Sequence, residues 1–146
     1  MVVKNLRKSR EEMEIKQKDV SEFFKLSFTT ISGWETGKDT IPFNRLITYA
    51  NQYHFSLDYL FGLVDQNINY SNICLDLKLL GINLCKLRKM NNMTQMELAS
   101  KLNIAQSAYS RYENGIRLIP TTILYCLTQI YKPFSIDLLL NRKRLK

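Results

Sequence analysis

The sequence predicts an all-α protein made of two consecutive copies of one five-helix unit, joined by a short polar linker. Three observations predict it: an internal repeat, apolar residues at helical spacing inside each copy, and capping and stop residues recurring at matching positions. Aligning Trp34-Glu35-Thr36-Gly37 with Tyr112-Glu113-Asn114-Gly115 sets a shift of 78 positions. That register, ungapped, also pairs Asn5 with Asn83, Leu6 with Leu84, Arg10 with Arg88, Gln17 with Gln95 and Pro42 with Pro120. One extra residue near Pro133 then brings Phe55-Ser56-Leu57-Asp58 onto Phe134-Ser135-Ile136-Asp137. The units are residues 1–64 and 73–146, with 65–72 between them.

Within each unit the first helix is expected from about Val3 to Met13, and from about Leu77 to Met90. Leu80, Leu84 and Leu87 mark its inner face in the second copy. A second helix opens at Gln17 or Gln95. Thr94-Gln95-Met96-Glu97 reads as a capping box, whereas Lys16 at the matching position offers no acceptor and predicts a weaker start. A tight turn follows, where Asn103 suits a left-handed conformation better than Lys25 does. Third helices run from Phe28 to Thr36 and from Gln106 to Asn114; Ser27 can cap the first of them and Ala105 cannot cap the second. Gly37 and Gly115 stop these helices. Pro42 and Pro120 suit the first turn of a fourth, and a fifth ends near Leu60 or Leu139. Residues 65–72 (Asp-Gln-Asn-Ile-Asn-Tyr-Ser-Asn) are polar and turn-forming; Ser71 or Asn72 is the expected cap of the long helix beyond.

Charge is unevenly placed. Residues 1–64 carry nine Lys or Arg against eight Asp or Glu, while residues 65–146 carry twelve against five; these net values of +1 and +7 make up the chain's +8. A basic half favours a polyanionic partner, because neutralised phosphates release condensed counterions. Cys74, Cys85 and Cys126 are widely spaced, without a C-x-x-C pair, and the lone His54 completes no zinc tetrad with them. They read as free thiols in the role of small apolar residues; no cofactor and no metal is expected. No apolar run approaches the roughly 20 residues of a membrane span, and Met1 to Ser9 turn basic without a signal-type apolar stretch. The expected setting is the cytoplasm, in association with the nucleoid, and no membrane partner is expected.

Two short helices joined by a tight turn form a helix-turn-helix. The sequence resembles the Cro and phage-repressor family of XRE-type regulators. In the first copy, Gln17, Ile31-Ser32-Gly33-Trp34-Glu35-Thr36-Gly37-Lys38 and Ser56-Leu57-Asp58-Tyr59-Leu60-Phe61-Gly62 carry the resemblance. In the second it rests on Leu87-Arg88, Thr94-Gln95, Glu97-Leu98-Ala99 and Tyr109-Ser110-Arg111-Tyr112-Glu113-Asn114-Gly115. It implies two lambda-repressor-like domains whose third helices lie in the major groove of double-stranded DNA. By the same carry-over Gln95 holds a phosphate and supports Gln106, eleven positions on, against an adenine edge. Ser107 and Arg111 fall at base-facing positions and Asn114 at a phosphate-facing one, with Ser110 a further candidate DNA contact. Arg117 and the tail residues Arg142, Lys143, Arg144 and Lys146 are further backbone contacts. The first copy departs from the pattern: the eleventh residue after Gln17 is Phe28, which can touch a thymine methyl or a protein partner. Thr29, Thr30, Ser32 and Lys38 complete its candidate contacts.

Trp34 and Tyr112 sit at helical spacing from Ile31 and Tyr109, which reads as buried scaffold more than as stacking platforms. Glu35 and Glu113 read as partners of Arg10 and Arg88. No paired carboxylates, nucleophile constellation or phosphate loop points to an enzyme. The expected function is a sequence-specific transcriptional regulator, with repression the role the resemblance implies. The two units use up the sequence, leaving control to concentration, assembly or a separate partner; homodimerisation stays open. The alternative is a protein-binding inhibitor or antitoxin-like adaptor, in which one repeat binds DNA or RNA and the first is turned toward a protein.

Overall fold

Five helices recur in each unit around one continuous apolar core, and the turns between them match in register except before the fifth helix, where left-handed His54 has no counterpart. The computed structural model describes residues 1–145. The first unit contains α1 (Leu6–Glu12), α2 (Gln17–Phe24), α3 (Phe28–Thr36), α4 (Phe43–Tyr53) and α5 (Leu57–Leu60). The second contains α6 (Leu77–Met90), α7 (Gln95–Leu102), α8 (Gln106–Glu113), α9 (Thr121–Ile130) and α10 (Ile136–Leu139). Left-handed residues pair across the repeat: Glu14 with Asn92, Lys25 with Asn103, Gly37 with Gly115, Gly62 with Asn141. Lys25 therefore adopts the turn conformation that Asn103 adopts, at the steric cost a Cβ brings there.

The caps follow the local chemistry. Thr94 Oγ1 accepts from the Glu97 amide at 3.1 Å and Glu97 accepts from the Thr94 amide at 3.4 Å, the expected capping box. Asp19 accepts from the Lys16 amide at 2.8 Å, so the α2 start keeps the carboxylate half of that box. Ser27 accepts from the Thr30 amide and caps α3; Ala105 gives α8 no side-chain cap. Pro42 and Pro120 stand one residue earlier than expected, as extended N-caps of α4 and α9. α1 begins only at Leu6, because Asn5 is spent on α5: its amide donates to Leu60 O at 3.0 Å and its side chain to Tyr59 O at 2.8 Å. The cap of α6 is Asp76, which accepts from the Lys78 and Leu79 amides, and not Ser71 or Asn72. Those two residues belong to an extended segment tied down elsewhere.

Gly81 lies in the middle of α6, where glycine costs about 0.5–1 kcal/mol relative to alanine. Its value is a close approach: a Cβ there would stand 2.3 Å from the Glu113 carbonyl oxygen and 2.8 Å from that of Tyr112. The long first helix of this unit thus lies directly on the carboxyl end of α8. Gly81→Ala is expected to destabilise the protein by roughly 1–3 kcal/mol through backbone displacement, read as a lower urea midpoint at unchanged m-value.

The two units dock against each other around a pseudo-dyad. Residues 40–44 and 118–122, the same stretch of each repeat, line one cleft, and Thr121 Oγ1 donates to Ile41 O across it at 2.7 Å. α5 and α10 cap one another. Asp137 accepts from the Leu57 and Asp58 amides at 2.9 and 2.8 Å. In return Asp58 accepts from the Ile136 amide and the Ser135 hydroxyl, both at 2.6 Å. Contacts in which i meets j and j meets i define an isologous interface. Here it forms inside one chain.

Arg142 fastens this interface. It is buried, donates to Asp137 Oδ1 at 2.8 Å, to Phe55 O at 3.1 Å and to Ser71 O at 3.0 Å, and covers the Tyr70 ring. The connecting segment pairs with the tail: the Ser71 amide donates to Lys143 O and the Leu145 amide to Asn69 O. Asn51 of α4 holds the next stretch by exchanging two hydrogen bonds with the Ile73 backbone. The expectation that Arg142 contacts phosphate is overturned: its charge is consumed within the fold. Lys143 and Arg144 are exposed, and Lys146 lies outside the described residues.

Burial, and then the facing Asp58 charge, push the Asp137 carboxyl up from 3.8 to about 6 against the pull of two amides and Arg142. Between those values the folded state binds a proton that the unfolded state has released, so this group's contribution to stability falls as pH rises through the window. Wild type is therefore expected to lose part of its docking stability between pH 4 and 6, and Asp137→Asn to lack that downward slope, in urea titrations across the range.

Candidate nucleic-acid interface

One buried network is repeated in both units, and it fixes the residue that opens the second helix. Arg10 forks onto Glu35 at 2.7 and 3.0 Å and reaches Ile15 O at 2.9 Å. Arg88 forks onto Glu113 at 2.7 and 3.1 Å and reaches Met93 O at 2.8 Å. Gln17 Nε2 then donates to Glu35 Oε1 at 3.0 Å, and Gln95 Nε2 to Glu113 Oε1 at 3.1 Å. A carboxylate is an acceptor only, so each amide must turn its nitrogen inward. Among the described residues, one Nε2 hydrogen and the Oε1 oxygen of each glutamine have no other hydrogen-bond partner. Burial pushes the Glu113 carboxyl up, but hydrogen bonds from Arg88 and Gln95 outweigh it and hold it below the usual range; the same contact raises Arg88. Glu113 is thus ionised at neutral pH, and the pairing expected for both glutamates is present.

Trp34 of α3 and Tyr112 of α8 are buried, the scaffold role expected of them. The outer face of α8 presents Gln106, Ser107 and Arg111, all exposed, with Ser110 half-buried and bonded through its hydroxyl to Asn114 Nδ2 at 3.2 Å. Asn114 and Arg117 are exposed at its far end. No hydrogen bond joins Gln95 to Gln106 among the described residues; Gln95 is committed to Glu113. On α3, Phe28 is 58% exposed and Thr29 is exposed, Ser32 is half-buried, and Lys38 lies just past the helix. The Thr30 hydroxyl is taken up at 2.9 Å by Ser27, the cap of its own helix. Of the thiols, Cys85 and Cys126 are half-buried, but Cys74 is exposed and so fills no core position.

The dyad relates α3 to α8, and the loop leaving each third helix runs into the shared cleft at residues 40–44 and 118–122. Sequence reading missed Asp58, Asp137 and Gly81, which set this geometry. Gly81 carried a signal, a glycine inside a helical pattern; the two aspartates carried only their matching place in the repeat.

Two five-helix units, each carrying a helix-turn-helix and a repeated Arg-Glu-Gln brace, define the class of DNA-binding regulatory proteins. The helix-turn-helix family model matches residues 6–60 and again 86–139, and the chain belongs to this family as a tandem XRE-type protein. Over 67 residues it is 31% identical to "Antitoxin PezA" of Streptococcus pneumoniae serotype 4 (strain ATCC BAA-334 / TIGR4), a match covering 46% of this chain and 42% of the relative. The chain therefore spans less than half the length of that relative. No solved structure matches significantly. Among the described residues no helix is long and apolar enough to cross a membrane.

Proposed function

We propose that this protein is a transcriptional repressor acting by occupancy in the cytoplasm, at the nucleoid, and that a single chain reads a composite operator with both third helices. The isologous docking of α5 on α10 carries this reading. It supplies within one molecule the two-fold arrangement by which helix-turn-helix dimers address half-sites about 34 Å apart. The two helices differ, so the half-sites differ. On α8, Gln106 supplies a bidentate amide for adenine and Arg111 a fork for guanine, with Ser107 and Ser110 beside them. Gln95, Asn114 and Arg117 face phosphates. On α3, Phe28 offers an apolar surface to a thymine methyl, Thr29, Thr30 and Ser32 lie along the groove, and Gln17 and Lys38 face the backbone. Lys143 and Arg144 add charge on the basic half.

Selection from a random duplex library, with wild type, Gln106→Ala and the Phe28→Ala/Thr29→Ala double variant, tests this. The expected result is one motif of two unlike halves, each half lost with its own variant, and one chain per duplex by sedimentation. Enrichment of no motif, with binding that fades equally at every sequence as salt rises, would refute the regulator reading.

A second reading keeps the alternative of an antitoxin-like adaptor, with α8 on nucleic acid and the first unit on a protein. The exposed Phe28, the near-neutral first unit and the partial likeness to an antitoxin favour it. Loss of half the motif with the Phe28→Ala/Thr29→Ala variant would count against it.

A further inference from the structure

We propose that the groove between α6 and α10 is a docking site for a partner protein, which inserts an aromatic side chain flanked by a carboxylate. The same place differs between the two repeats, and its occupation is independent of DNA reading. In the first unit that place is closed from within. Phe55 and Tyr59 are 5% and 2% exposed and stack at 5.8 Å. The Tyr59 hydroxyl donates to the Glu12 carboxylate, and Lys8 Nζ lies 5.7 Å from the centre of the Tyr59 ring.

In the second unit the frame is kept and the filling is absent. Asn83, Lys86 and Phe134 repeat Asn5, Lys8 and Phe55, but Leu87, Met90 and Leu138 replace Ser9, Glu12 and Tyr59. These six residues line a groove of about 340 Å³, at the small end of the roughly 300–1,000 Å³ of ligand clefts. Met90 is 79% and Leu138 64% exposed on its rim. Lys86 is exposed and forms no ion pair among the described residues. Single exposed apolar side chains are ordinary on protein surfaces; here two stand together on the rim of one groove.

The first unit shows what fits this frame: a ring under the lysine ammonium, held by a carboxylate. The second unit offers the ammonium, the apolar walls and no acid. An aromatic anchor in a desolvated pocket is the kind of group that dominates protein interfaces, and a lysine over its face adds cation–π attraction. The net charge of +7 on residues 65–146 favours an acidic partner segment. None of the residues proposed to face DNA lines the groove, so both surfaces can be occupied at once.

The test uses the full chain with labelled methionine and leucine methyls. It is titrated with a capped octapeptide carrying a central tyrosine flanked by glutamates, and with two controls in which alanine replaces the tyrosine or lysine replaces the glutamates. Saturable shifts of the Met90 and Leu138 methyls are expected with the first peptide, and at least about tenfold weaker binding with either control. The Met90→Glu/Leu138→Tyr variant, which restores the first unit's filling, is expected to fold, to bind DNA as wild type does, and to lose the peptide-induced shifts that wild type also shows at the Leu87 and Leu139 methyls lining the groove. Absence of saturation, equal binding of the lysine control, or undiminished binding by the filled variant would each overturn the proposal. So would concentration-dependent self-association that the filled variant abolishes, since the occupant would then be a second copy of this chain.

Discussion

Glu113→Ala is expected to destabilise the second unit by about 3–5 kcal/mol, the range found when one member of a buried ion pair is removed. Arg88 and Glu113 are both less than a tenth exposed, so the guanidinium would be left buried with only Met93 O as a good acceptor. Such a loss is a large part of the 5–15 kcal/mol that holds a domain folded. Gln95 would lose its anchor as well, so specific DNA binding should fail even in conditions where the variant stays folded. The single tryptophan, Trp34, reports on the first unit alone. Its fluorescence and the far-UV circular dichroism should therefore cease to coincide in urea, with the dichroism falling first. Because the Glu113 pKa is lowered on folding, its contribution is present above the unfolded value and lost as acid titrates the folded carboxylate. The deficit of the variant should accordingly narrow at low pH. A loss below about 1 kcal/mol at neutral pH would place the pair with ordinary surface ion pairs instead.

Arg142→Ala is expected to have an effect of the same size, about 3–5 kcal/mol, but to spend it on the interface between the units. Its removal leaves Asp137 fully buried, close to the facing Asp58 charge, and releases the connecting segment from Ser71 O and the first unit from Phe55 O. Hydrogen exchange should accelerate at the Ser71 and Leu145 amides, and proteases should cut between residues 65 and 76. Arg142→Lys should rescue little, since an ammonium cannot reproduce a fork that serves three acceptors. With the guanidinium gone the Asp137 carboxyl should titrate higher still, so the fall in stability should continue above pH 6. If the units act together on one operator, affinity for the composite site should drop while binding to an isolated half-site persists. Unchanged exchange and proteolysis would show that the apolar cleft at residues 40–44 and 118–122 suffices to hold the units together.

Much of the reader was legible from short-range chemistry. The α7 start follows from Thr94 and Glu97, three positions apart, and the turn before α8 from Asn103, whose side chain tolerates the left-handed region. The pairing of Arg10 with Glu35 and of Arg88 with Glu113 was legible because the same two residue types recur 25 positions apart in both copies. Where the reading failed, it failed by tertiary override. Asn5 looked like helix interior but is spent on the carbonyls of α5. Ser71 looked like a cap but pairs with the tail, and Asp76 caps α6. Arg142 sat in a run of basic residues that suggested phosphate contact, and nothing in that run distinguishes the one arginine that is buried. Its partners Phe55, Ser71 and Asp137 are brought to it by the docking of two units, over separations that no sequence window spans.

By itself, the sequence determined that there are two helix-turn-helix units, where the second and third helix of each begins, and which side chains open each reading helix. These are properties of local backbone preference and of an apolar period, and each copy repeats them. Only the tertiary structure decided that the units meet as a pseudo-dyad, that Asp58 and Asp137 cap each other's helices, and that one unit fills a groove the other leaves open. Those outcomes depend on which buried polar group finds a partner across some 80 residues. A buried carboxylate or guanidinium is stable only where such partners converge, and that convergence is a property of the folded chain.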